Sequence, residues 1–126
     1  MNVADLVLLA ESMGVRVRWA RPDRMDELAA YDHRTRTIWL RDGRADMPTR
    51  CSLAHEIGHA HYGHRPGGDY RRQERQADEW AALLLVSEDD YRRAERLVGH
   101  EVGALARELD VTRRIVLAWR RCRKAA

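Results

Sequence analysis

Lysine is almost missing from this chain: of 23 lysines and arginines, Lys124 is the only lysine, a bias that reflects coding composition rather than chemistry. Cysteine is scarce as well. Cys51 and Cys122 stand far apart with no Cys-x-x-Cys spacing, which argues against a disulfide framework and a thiolate metal site and fits a reducing, cytoplasmic setting. No apolar run approaches the roughly 18 residues that a membrane span requires. Met1-Asn2-Val3-Ala4-Asp5 meets an acidic residue at once, with no basic stretch before it. Neither a membrane span nor a secretory signal peptide is therefore expected. Internal repeats, linkers and low-complexity tracts are missing too, and 126 residues suit one compact domain over 1–126.

What is present is enough for a core. Apolar residues make up 44% of the chain, and the 34% that are charged supply a solvated surface without a disordered tract. The net charge of +3 is modest, but Arg113, Arg114, Arg120, Arg121, Arg123 and Lys124 crowd the C-terminus. That cluster reads as a solvated helix face or as a contact for an acidic partner.

The apolar spacing predicts a helix over 4–13 ended by Gly14, then three strands at about 15–19, 27–31 and 36–40 with a turn at Asp32-His33-Arg34-Thr35. These are expected to pair as a small antiparallel sheet. Pro48 suits the first turn of a helix running to about Gly63, and Arg65-Pro66-Gly67-Gly68 is a loop. Further helices are expected over 69–86, from a cap at Ser87 to about Val98, over 101–109, and over 112–123 with Thr112 as N-cap. The fold class is α+β: a three-stranded sheet beside a helical active-site core, closed by a C-terminal helical cap.

The helix predicted over 48–63 carries His55-Glu56-Ile57-Gly58-His59. Residues advance about 100° each on a helix, so His55 and His59 lie one turn apart on one face, where two imidazoles can converge on one Zn²⁺. Glu56 sits on the adjoining edge, placed to take a proton from a water molecule. A third ligand is needed. The metzincin pattern would put Gly and His where Tyr62 and Arg65 stand, so it fails on spacing. His61 and His64 are rotated off the ligand face.

On the next long helix Glu74 and Asp78 are spaced i,i+4, so that both carboxylates project from one face. Glu74 completes a His₂Glu set, and Asp78 can accept the free ring N–H of a ligating histidine. Each residue has an ordinary alternative: a surface His-x-x-x-His pair, or carboxylates paired with Arg71, Arg72 or Arg75. The joint pattern favours the gluzincin-like metal site. An oxyanion donor would also be needed, with Tyr62, His61, His64 and Tyr70 all open.

Ser52-Leu53-Ala54-His55-Glu56-Ile57-Gly58-His59 and Glu74-Arg75-Gln76-Ala77-Asp78-Glu79-Trp80-Ala81-Ala82-Leu83-Leu84-Leu85 together resemble the ImmA/IrrE family of bacterial and phage metallopeptidases. By position, His55, His59 and Glu74 resemble that family's zinc ligands and Glu56 its catalytic glutamate. The chain departs at Val86-Ser87, where the family usually has Met-Pro. The resemblance implies a zincin-like endopeptidase that cleaves a helix-turn-helix repressor and so derepresses phage, mobile-element or stress genes.

Residues 101–123, with Leu105, Leu109, Val111, Val116 and Trp119 apolar and Arg113 and Arg114 near the start of the second helix, also have helix-turn-helix spacing. Two packed helices across a tight turn need the same spacing. The competing reading is thus a DNA- or protein-binding regulator with a residual zinc site.

Overall fold

The computed structural model describes residues 1–125. Among them the order is α1 (Val3–Ser12), β1 (Arg16–Ala20), a 3₁₀ turn (Pro22–Arg24), β2 (Ala29–Asp32), β3 (Thr37–Arg41), α2 (Asp46–Tyr62), α3 (Tyr70–Leu85), α4 (Glu88–Val98), α5 (Val102–Leu109) and α6 (Arg113–Ala125). The α+β class and the element boundaries follow the sequence expectation closely. Caps explain why. The side chains of Asn2, Asp69 and Ser87 accept backbone N–H bonds from Asp5, Arg72 and Asp90, and Ile115 N–H donates to Thr112 Oγ1 at 3.3 Å, so at the starts of α1, α3, α4 and α6 a side chain satisfies an otherwise unpaired donor, whereas α2 starts at Ala45 without one.

The sheet differs from the expectation in one respect: it is mixed. Its strand order is β1-β3-β2. β2 and β3 form an antiparallel hairpin, whereas β1 pairs parallel to β3, with Val17 opposite Ile38 and Trp19 opposite Leu40. Periodicity locates strands but does not order them. The segment 21–28 is long enough to carry the chain past the slot that β3 later fills, so β2 starts on the far edge and β3 returns between its predecessors.

Ile38 and Leu40 of the central strand are fully buried against α1 and α2, and the same core takes in Leu6, Leu53, Ile57, Leu105, Val111, Val116 and Trp119. Helix α6 is fixed within it. Trp119 stacks on Tyr91 with centroids 4.0 Å apart and donates its indole N–H to the Val86 carbonyl at 3.0 Å. Buried Arg50 of α2 reaches the Asp110 carboxylate at 3.0 Å and also donates to the Asp110 backbone carbonyl. The α5–α6 turn is thereby tied to the start of α2. No helix among the described residues is long and apolar enough to cross a membrane.

Helices α2 and α3 make the closest contact. A Cβ built on Gly58 would lie 3.0 Å from both Cα and O of Ala77, so a side chain at 58 would press on the backbone of α3. It brings the histidine face of α2 onto the carboxylate face of α3.

Candidate metal centre

His55 and His59 leave α2 one turn apart and point their Nε2 atoms at one another, 3.0 Å apart. Glu74 of α3 closes the triangle, with Oε1 3.0 Å from His59 Nε2 and Oε2 3.1 Å from His55 Nε2. The far side of each imidazole is occupied. His55 Nδ1 lies 2.7 Å from Asp78 Oδ1, and a carboxylate oxygen can only accept, so the proton sits on Nδ1. His59 Nδ1 lies 2.9 Å from His64 Nδ1, whose Nε2 lies 2.8 Å from Gln76 Oε1. With Gln76 accepting, the protons run His59 Nδ1–H to His64 and His64 Nε2–H to Gln76.

Those outer partners leave both Nε2 atoms as bare lone pairs facing a carboxylate. With both imidazoles neutral, these three acceptors about 3 Å apart repel unless a proton or a metal ion lies between them. Donors at about 2.0–2.1 Å from a tetrahedral Zn²⁺ would stand only slightly further apart than this. His55, His59 and Glu74 also form a group whose ligand atoms all lie within 4.8 Å of one another. The residues present therefore fit a metal ion of the zinc kind, bound through two imidazoles and a carboxylate.

Local charge follows the same geometry. Burial alone would lower the His55 pKa, but the bond to Asp78 and the charges of Glu56, Asp78 and Glu74 raise it. His59 is held below the usual imidazole value by burial and by the neighbouring His55. Burial would raise Asp78, yet the bonds from His55 and Arg114 more than offset it and hold this carboxyl below the ordinary range. Glu56 is pushed up to about 7, chiefly by burial and further by the Glu74 charge, against the lowering effect of His55. A carboxyl near neutrality is suited to exchanging protons at cellular pH.

Glu56 lies in a cleft of about 290 Å³ whose lining also includes Leu28 and Ala29 from the start of β2, Ser52 and His55 from α2, and Arg114 and Ile115 from α6. All five residues singled out in the sequence, His55, Glu56, His59, Glu74 and Asp78, thus meet at one place. Three further members were not foreseen. His64 was read as rotated away because helical spacing was carried past the helix end. Gly63, at φ +67°, instead turns the chain back, and His64 N–H bonds to the His59 carbonyl at 3.0 Å. The Gly63 left-handed C-cap was the available signal. Gln76 and Arg114 gave none, since their roles depend on neighbours distant in sequence. The remaining oxyanion candidates stand outside the cleft lining. His61 is exposed and stacked on Trp80, Tyr62 stacks on His64, and Tyr70 is exposed.

A comparison with curated proteins found no match. A family model for the IrrE N-terminal-like domain, Peptidase_M78, matches residues 10–118. The matched span runs from late α1 into α6 and includes every side chain of the centre. The chain therefore belongs to the Peptidase_M78 family of IrrE N-terminal-like domains.

Proposed function

We propose that this peptidase-family protein is a cytoplasmic, zinc-dependent endopeptidase, that 1–126 act as one unit with 101–123 part of it, and that its substrate is a helix-turn-helix repressor. The observation that carries the reading is the convergence of His55 Nε2, His59 Nε2 and the Glu74 carboxylate, 3.0–3.1 Å apart. A bound metal supplies a Lewis acid that acidifies water and polarises the scissile carbonyl. His55, His59 and Glu74 hold it. Asp78 and His64 fix the two imidazoles in the tautomer that leaves Nε2 unprotonated. Glu56 accepts a proton from the attacking water on its carboxylate and returns it to the leaving amine nitrogen. Leu28, Ala29 and Ile115 give the cleft an apolar part of its lining beside Glu56. The repressor is supported by the family resemblance of 52–86, and the cytoplasm by two free cysteines.

The test compares wild type with Glu56→Gln. Elemental analysis should find about one zinc per chain in both. Incubation with a repressor encoded beside the gene, followed by mass spectrometry, should give cleavage by wild type only. Cleavage by Glu56→Gln at the wild-type rate, or a wild type that holds no metal, would sink the reading. Operator DNA shifted by this chain alone, without cleavage, would favour the regulator instead.

A further inference from the structure

Arg114 belongs to the first turn of α6, where the sequence pattern offered it to DNA. In the fold it turns inward. Its Nε lies 2.7 Å from Asp78 Oδ2 and its Nη2 lies 3.1 Å from Glu74 Oε2. One planar guanidinium thus grips two carboxylates one turn apart on α3, a geometry that its rigid fork of donors provides and an ammonium cannot. This is unlike an ordinary surface ion pair. The Arg114 side chain is 61% exposed, but those of Asp78 and Glu74 are only 10% and 22% exposed, so the accepting ends of both contacts are shielded from water.

Both carboxylates are constrained as a result. Asp78 has one oxygen on His55 and the other on Arg114, which fixes its rotation and with it the direction of the His55 ring. Glu74 has Oε2 3.1 Å from both Arg114 Nη2 and His55 Nε2, while Oε1 faces His59 Nε2. Without the guanidinium, two like charges at i,i+4 would face each other beside the centre. We propose that Arg114 is a positioning residue of the metal centre, fixing the rotation of the Glu74 carboxylate through Oε2 so that its oxygens face the two imidazoles, and locking the Asp78 that orients His55. This rests on the metal-centre reading above. It also makes α6 a working part of the centre rather than a lid over it.

The test uses the full chain and four proteins: wild type, Arg114→Met, Arg114→Lys, and Arg113→Met as a control with the same charge change on the same helical turn. Circular dichroism verifies folding, chelator competition measures zinc affinity, and the cobalt-substituted proteins report ligand geometry by visible absorption. Wild type and Arg113→Met should agree. Arg114→Met should bind zinc about 10–100-fold more weakly, the usual effect of losing a ligand's hydrogen-bond partner, with an altered cobalt spectrum. Arg114→Lys should fall between them, because a point charge can serve only one carboxylate well. If Arg114→Met fails to fold, the lysine variant decides alone. Affinity and cobalt spectrum in the Arg114 variants equal to those of Arg113→Met would overturn the positioning role while leaving the centre standing. A wild type that binds no zinc would remove the centre and this role together.

Discussion

The Nδ1 atoms of His59 and His64 lie 2.9 Å apart, joining the last turn of α2 to the residue just beyond its glycine cap. Because this contact fixes which nitrogen of His59 carries a proton, His64→Phe should keep the stacking on Tyr62 but release the His59 tautomer. Zinc affinity measured by chelator competition should fall by about 10–100-fold. Wild-type affinity in this variant would reduce His64 to a bystander.

Glu74 and Asp78 should respond differently to removal although they are neighbours on α3. Glu74 reaches the Nε2 atoms of both histidines, whereas Asp78 reaches only Nδ1 of His55. Glu74→Ala should abolish stable zinc binding, and Asp78→Ala should leave an ion held about 10–100-fold less tightly. Equal losses in the same titration would mean that the two carboxylates share one role.

Gly58→Ala tests the helix contact beneath the centre. The added methyl meets backbone atoms of Ala77 at 3.0 Å, and backbone in the middle of a helix yields less readily than a side-chain tip. A loss of about 1–3 kcal/mol, typical of overpacking, is expected in urea denaturation. Zinc affinity should drop with it, since α3 carries Glu74. An unchanged denaturation midpoint would show that the helices can separate without cost.

Cys51 gives a pH signature away from the ligands of the centre. Burial raises its thiol pKa, against smaller lowering effects from Thr112 and Arg50, and burial also raises Cys122. A raised folded value favours the neutral thiol in the native state. The contribution is therefore complete below the unfolded thiol value and is lost as pH climbs toward the folded one. Iodoacetamide at pH 8 should modify half-buried Cys122 before buried Cys51 in native protein, and both equally in urea. Rapid native labelling of Cys51 would contradict the packing around it.

Much of the centre was legible because helical geometry is local. The four-residue spacing of His55 and His59, and again of Glu74 and Asp78, fixes shared faces before any tertiary contact is known. Caps did the same for boundaries: Gly14, Ser87 and Thr112 mark helix ends in sequence as they do in structure. The parallel pairing of β1 was not legible, since it is decided by where the 21–28 segment delivers the chain. The role of Arg114 was not legible for the same kind of reason. On an isolated helix-turn-helix pattern an arginine near the start of the second helix points to solvent, and only the docking of α6 on α3 reveals two carboxylates waiting for it.

The cleft draws part of its lining from residues 28–29 and 112–115, while the candidate ligands and Glu56 all lie between 55 and 74. A growing chain therefore completes its reactive groups well before the enclosure that gives them a substrate. By the time Glu74 has emerged, residues 112–115, Arg114 among them, have still to be made. Synthesis order alone thus delays the assembly of the complete cleft until nearly the whole matched domain, 10–118, has been produced.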